Sequence, residues 1–179
     1  MRIIAGKFGG RTIQAPATLP VRPTTDYAKS GLFNILNNHF DFEEINVLDL
    51  FCGTGNISFE FASRGSIKIT SVDAHSGCVK FISEFASKIG AEGIRTMKSD
   101  VFKFIKQHET QYDIIFADPP FELKETDLLA DLIINKGLLK KNGWLIIEHL
   151  SKRKLIGEKT ASEIREYGNC AFSIYKQED

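Results

Sequence analysis

Apolar positions along the chain fall into two alternating periods. From Ile45 onward, short continuous apolar runs are separated by amphipathic stretches. Val47–Phe51 reads as a buried strand, followed by a glycine loop and a helix over Ile57–Arg64. Ile67–Val72 reads as a second strand, with a helix from about Gly77 to Ile89. Ile94–Met97, Tyr112–Ala117 and Trp144–Glu148 read as further strands. Between them, Val101–Gln107 and Asp127–Asn135 carry helical spacing. Two last runs, Ile164–Tyr167 and Ala171–Tyr175, flank Gly168-Asn169 and predict an antiparallel hairpin. Strands alternating with helices imply an α/β fold, a mostly parallel, doubly wound sheet of seven strands. Ligands of such sheets bind at the C-terminal strand ends.

The first residues differ. Two short β-prone runs within residues 2–15 flank Gly9-Gly10 and predict a small N-terminal β-hairpin. Pro16, Pro20 and Pro23 interrupt regular structure. Thr24, Thr25 or Asp26 then caps a helix running to about Asn38, with Ala28, Leu32, Ile35 and Leu36 on one face. The expected division is a basic hairpin extension over 1–23 and an α/β domain over 24–179.

With 179 residues and 42% hydrophobic content, the chain can form a full core. Lys and Arg number 23, as do Asp and Glu, which excludes a polycation. The charge is unevenly placed: residues 1–38 hold five basic residues against one acid. A phosphate backbone as partner and a plainly solvated arm both fit this. Three scattered cysteines, Cys52, Cys78 and Cys170, fit neither a disulfide scaffold nor a zinc cluster. The four histidines show no metal-ligand spacing, so no metal is expected. No apolar run is long enough for a membrane span, and a soluble, cytoplasmic monomer is expected.

Strand one ends in Asp49-Leu50-Phe51-Cys52-Gly53-Thr54-Gly55. Gly53 and Gly55 would let a ligand approach the backbone, although Ser58 stands where a dinucleotide fingerprint wants a third glycine. Asp49, an acid in an apolar strand end, needs a partner. It would repel a pyrophosphate and accept a cationic or N–H-rich ligand, or it caps loop amides. Asp73, at the tip of strand two, is placed to hold a ribose diol. Asp100 either accepts from an adenine amino group or caps the next helix.

Strand four ends in Asp118-Pro119-Pro120-Phe121. Two prolines stop the strand and offer no N–H donors, leaving an acceptor-rich corner. With an aromatic face beside it, this corner suits a planar base carrying an exocyclic amino group.

Together, Asp49, Gly53-x-Gly55, Asp73, Asp100 and Asp118-Pro119-Pro120-Phe121 resemble the ordered motifs of Rossmann-like (class I) adenosylmethionine-dependent methyltransferases. Arg2-Ile-Ile-Ala-Gly-Lys7, Arg22-Pro-Thr-Thr-Asp26 with Leu32-Phe33-Asn34, and Arg165-x-Tyr167-Gly168 narrow the resemblance. They are similar to bacterial 16S ribosomal RNA guanine-N2 methyltransferases of the RsmD type, across essentially the whole chain. Ser30 departs from that pattern, which usually has a glutamate there, and Cys52 stands where alanine is usual.

The resemblance implies S-adenosyl-L-methionine as cofactor, held by Asp49, Phe51, Gly53, Gly55, Asp73 and Asp100. It implies methyl transfer to a guanine N2 amino group in 16S rRNA or a small-subunit assembly intermediate. Asp118 and the Pro119 carbonyl would accept the amino hydrogens beside Pro120, and Phe121 would hold the flipped base. Arg2, Lys7, Arg11 and Arg22 would contact RNA phosphates. The competing readings are an N-methyltransferase acting on a protein glutamine amide or on adenine, a nicotinamide-dependent oxidoreductase, and a non-catalytic RNA-binding module.

Overall fold

The structure, a computed structural model, describes residues 1–178. Its helices are α1 (Asp26–Asn37), α2 (Asn56–Ser63), α3 (Ser76–Ile89), α4 (Val101–Gln107) and α5 (Leu129–Asn135). Its strands are β1 (Asn46–Leu50), β2 (Lys68–Asp73), β3 (Ile94–Lys98), β4 (Tyr112–Ala117), β5 (Leu139–Leu150), β6 (Glu163–Tyr167) and β7 (Cys170–Lys176). The seven strands form one sheet in the order β3-β2-β1-β4-β5-β7-β6. The first five are parallel, and β7 runs antiparallel to both β5 and β6. The predicted doubly wound fold with its closing hairpin is therefore present.

Successive side chains of a strand point to opposite faces, so each central strand feeds two cores. Val47, Ile114, Ile146 and Phe172 pack under α1 residues Leu32, Phe33 and Leu36. Leu48, Leu50, Ile115, Leu145 and Ile147 pack against Phe104 and Ile105 of α4 and Leu129 and Ile133 of α5. On the first face Gly31 sits against Tyr167, where a Cβ would lie 2.1 Å from the ring. The helix can reach β6 only because position 31 is glycine.

Two boundaries differ from expectation for local reasons. Strand β5 begins at Leu139 rather than Trp144, because Leu139 pairs with Tyr112 before a register shift that leads to the Ile114–Trp144 pair. Lys140, Lys141 and Asn142 hide that start from a hydropathy reading. Residues Lys124–Leu128 form a 3-10 turn ahead of α5, so the α-helix begins after Asp127.

The N-terminal hairpin forms, but its paired part is shorter than expected. One antiparallel bridge joins Arg2 with Thr12, and the Ile3, Gly10 and Ile13 amides donate across it to the Arg11, Ile3 and Met1 carbonyls, each at 2.9 Å. Other backbone donors of the segment dock it on α2 instead. The Ile4 and Ala5 amides donate to the Glu60 carboxylate at 2.8 and 3.2 Å. The Lys7 amide donates to the Ser63 carbonyl at 2.7 Å, and the Phe8 amide to Ser63 Oγ at 2.9 Å. Ile3, Phe8 and Ile13 are buried against Phe59 of α2 and Ile82 and Ala86 of α3. The first residues thus share a core with the sheet's helices.

Gly6 marks the tightest point of this contact. Its φ is +80°, and a Cβ there would lie 1.9 Å from the Ser63 carbonyl oxygen. Gly10 has a similar φ of +83° but faces open space. Gly10→Ala is expected to cost about 1 kcal/mol, the backbone penalty alone. Gly6→Ala adds a backbone clash and is expected to cost about 2–4 kcal/mol. Urea unfolding followed by Trp144 fluorescence measures both; equal losses would mean the segment is not anchored on α2.

Candidate active site

The C-terminal ends of β1, β2, β4 and β5 open into a cleft of about 670 Å³. Its walls include Asp49, Phe51, Gly53, Asp73, Asp100 and the Asp118–Phe121 corner, so the cofactor and catalytic residues expected from the sequence share one space, except Gly55, which does not line it. Pro20–Thr24 also line it, as do Phe102 and Glu148. The segment leading into α1 therefore forms one wall.

The glycine loop turns sharply out of β1. Phe51, Gly53 and Gly55 have φ values of 56°, 52° and 78°. For phenylalanine this left-handed conformation is uncommon and strained, and such residues cluster at functional sites. Its ring meets Phe102 edge-on at 6.3 Å. The glycines serve the protein's own packing. A Cβ on Gly55 would lie 2.9 Å from both Ile82 and Phe59, and one on Gly53 would lie 3.2 Å from Val21. Both glycines thus meet a conformational and packing requirement of the protein itself, and Gly53 also lines the cleft.

Each acid has a defined job in the free protein. Asp49 Oδ2 accepts from the Ser58 amide at 3.1 Å and from Ser58 Oγ at 2.5 Å, which caps the first turn of α2. Ser58, the residue that breaks the dinucleotide fingerprint, is thus the partner that Asp49 needs. Ser58 Oγ lies 2.7 Å from Ser71 Oγ, extending the chain of bonds to β2. Asp73 accepts from the Gly53 amide at 2.9 Å and from the His75 amide at 2.8 Å, tying the glycine loop to the tip of β2. Asp100 Oδ1 accepts from the Lys103 amide at 2.9 Å, so it caps α4. Cys52, in the same loop, is buried, and burial holds its thiol well above the ordinary range, which leaves no thiolate for nucleophilic chemistry.

At β4, the Asp118 amide donates to the Leu50 carbonyl at 3.2 Å, which locks the corner to β1. Burial raises the Asp118 carboxyl well above the usual carboxylate range, the nearby Glu148 and Asp49 raise it further, and Arg22 opposes them. Glu148, buried on β5, is also raised by burial, against a 2.5 Å hydrogen bond from Thr24 Oγ1 and the charge of Arg22. The Arg22 guanidinium lies 4.6 Å from the Phe121 ring centroid. A base stacking on Phe121 therefore meets the ring's other face or replaces Arg22.

Two residues of this corner escape a reading of the sequence. Glu148 is a single acid in an apolar run, and only strand pairing brings it beside Asp118. Arg153 reaches across from beyond β5, donating to the Phe121 and Leu123 carbonyls at 3.0 and 3.1 Å and to Asp127 at 3.3 Å. It holds the Asp-Pro-Pro-Phe turn from outside.

The four basic residues do not form one patch. Arg22 is at the cleft, while Arg2 pairs with Asp26 at 3.4 Å. Lys7 and Arg11 flank the Phe8 ring at 5.3 and 5.6 Å, near Ser63 at the far end of α2. Eight helical residues separate the two ends by roughly 12 Å. Among the described residues no group of His, Cys, Asp and Glu could hold a metal ion, and no helix is long and apolar enough to cross a membrane.

The family model described as "Conserved hypothetical protein 95" matches residues 1–176. Ribosomal RNA small subunit methyltransferase D of Escherichia coli is 32% identical over 150 residues, 84% of this chain and 72% of its own. The chain belongs to this family. Among solved structures, a hypothetical protein of Thermus thermophilus superposes with a TM-score of 0.84 at 24% identity, over 98% of each chain. The 16S rRNA N2 methyltransferase RsmC of T. thermophilus, solved with AdoMet and guanosine, has a TM-score of 0.70 at 18% identity. That match covers 90% of this chain and 45% of that one. At these identities both structures report on the fold, which is that of class I methyltransferases.

The family's glycine loop carries its own pH signature here. Burial, offset by the Ser58 bonds, pushes Asp49 up to about 7. The folded state then holds this proton more tightly than the unfolded chain, whose carboxyl titrates near about 4. Asp49 therefore lowers stability progressively as pH rises from about 4 to about 7. Asp49→Asn keeps an acceptor for Ser58 and removes the titration. Wild type is expected to lose stability relative to Asp49→Asn across that window and to run parallel above it, in urea titrations at stepped pH. Parallel profiles throughout would contradict the assignment.

Proposed function

We propose that the protein transfers a methyl group from S-adenosylmethionine to the N2 amino group of a guanine in the RNA of the small ribosomal subunit. The observation that carries this reading is the placement of the Asp118-Pro119-Pro120-Phe121 corner in the same cleft as the glycine loop. Membership of an rRNA methyltransferase family supports the substrate class. The donor set fits the cofactor: the cleft is floored by Asp49, Asp118 and Glu148, an environment for a ligand carrying positive charge and N–H donors. Asp73 would hold the ribose diol, and Asp100 with Phe102 and Phe51 the adenine, while Asp49 shapes the loop through Ser58. When bound, the cofactor supplies an electrophilic methyl group on a sulfonium.

The chain's own residues then do the aligning. A guanine amino nitrogen is a poor nucleophile because its lone pair is delocalised into the ring. Asp118 and the Pro119 carbonyl accept its two hydrogens, which turns the lone pair toward the cofactor. The ionised form of Asp118, disfavoured in the free cleft, is favoured once N–H donors face it. Positioning of this kind can supply roughly 7–11 kcal/mol of a barrier. Arg22 would meet the phosphate or base edge at the rim, and Lys7 and Arg11 a more distant stretch of backbone.

Nucleoside mass spectrometry of small-subunit RNA after incubation with labelled cofactor is expected to find the label in N2-methylguanine. Label in an adenine, or in glutamine of a protein, would redirect the substrate. Asp118→Ala is expected to bind S-adenosylhomocysteine as wild type does, with turnover down about 100- to 1000-fold. Asp118→Asn keeps an acceptor without the charge. Partial activity would assign Asp118 to alignment, and loss equal to alanine would assign it to proton removal. An Asp118→Ala enzyme with ordinary single-turnover rates would overturn the proposal.

A further inference from the structure

Glu148 has no role in the alignment just described, yet it is buried in the same cleft. Strands β4 and β5 run parallel with Ala117 paired to Ile147. Asp118, just beyond β4, and Glu148, the next residue of β5, therefore adjoin at the strand ends, where both line the cleft and the Glu148 charge bears on Asp118. Burying a second carboxylate there is unfavourable unless something donates to it. Thr24 Oγ1 engages Oε2 at 2.5 Å, and Thr24 is itself held through its carbonyl by Asn56 Nδ2 at 2.9 Å. A hydroxyl donor of this kind needs only a neutral acceptor, and although Arg22 offsets part of the charge, burial still holds the Glu148 carboxyl above its usual range, so its protein neighbours leave the carboxylate only partly compensated.

The edge of guanine supplies one. Beside the N2 amino group, guanine presents N1–H, a second donor, and then the O6 acceptor. Two adjacent carboxylates match the two donors, and Arg22 is the neighbouring cation. Adenine and other aminopurines with an unprotonated N1 would set a lone pair against Glu148. A site built to pair with a substrate N–H rejects analogues that lack it far more strongly than an apolar pocket rejects a shape.

We propose that Glu148 is a specificity-determining residue that accepts the N1–H of the target guanine beside Asp118. The proposal rests on the guanine-amino reading above. Its probe is 2-aminopurine, which keeps the 2-amino group but has a bare N1. With the methylated position mapped, small-subunit RNA is prepared with guanine or 2-aminopurine at that position. Single-turnover methylation is then measured for wild type and Glu148→Gln. Glutamine can accept from N1–H through its oxygen or donate to bare N1 through its amide. The wild-type preference for guanine over 2-aminopurine is expected to narrow at least about tenfold in Glu148→Gln, with S-adenosylhomocysteine affinity retained. The missing O6 of 2-aminopurine affects both enzymes alike and cancels in this comparison. An unchanged preference would overturn the proposal. Should Glu148→Gln fail to bind S-adenosylhomocysteine, Thr24→Val is read instead. Because Thr24→Val keeps the carboxylate, it is read together with Glu148→Asp, which keeps the charge but draws the acceptor back by one methylene: a preference narrowed in Glu148→Asp supports the proposal, and a wild-type preference in Glu148→Asp overturns it. A wild-type enzyme that labels no guanine would fail the underlying reading, and this proposal would fall with it.

Discussion

A lysine ammonium with no exposure to solvent organises this molecule. Lys29 Nζ donates to the Arg2 carbonyl at 2.6 Å and to Asn56 Oδ1 at 2.7 Å, and lies 3.5 Å from Glu60. Desolvation lowers its pKa, while Glu60 and Asp26 raise it. A buried charge is tolerated only where such partners surround it, and removing one leaves the others uncompensated. Glu60 in turn accepts from the Ile4 and Ala5 amides and from Arg64. One node thus binds three parts of the chain: the first residues, α1, and the start of α2 just after the glycine loop. Asn56 passes the constraint to Thr24, and Thr24 passes it to Glu148.

The consequence is a cleft with one wall that is not part of the sheet. The strand ends provide the acids, and the segment Pro20–Thr24 closes over them, held by Asn56 and by Val21 against the glycine loop. Three carboxylates on one floor repel one another and are poorly solvated, so the free protein keeps them above their usual titration range. A ligand bringing positive charge and N–H donors relieves that condition. Stability given up to bury these acids becomes selectivity for what enters the cleft, the same relation seen wherever strain and desolvation gather at functional sites.

Much of this is legible in the sequence, for reasons that are local. A strand ending in glycines and another ending in Pro-Pro announce their geometry through backbone restrictions, and a mostly parallel sheet follows from the alternation of strands and helices. Asp100 shows the limit: capping and ligand binding ask for the same residue at the same place, and the structure displays the cap. The N-terminal hairpin is legible, but its docking is not: Glu60 and Ser63, more than fifty residues away, take the amides of Ile4, Ala5 and Phe8 near its tip. Glu148 and Arg153 stay invisible in the sequence because their meaning lies in strand pairing and a long reach. The same is true of Lys29, which reads as one surface charge of a helix until the first residues fold over it.

The central claim is that this buried node, which reaches the cleft only through Asn56, fixes the cleft's shape. Calorimetric titration of S-adenosylhomocysteine into wild type and Lys29→Met, at a temperature where circular dichroism shows both folded, tests it directly. The account predicts that the variant binds at least about tenfold more weakly, ~1.4 kcal/mol, although Lys29 does not line the cleft. Affinity equal to wild type in a folded Lys29→Met protein would contradict it.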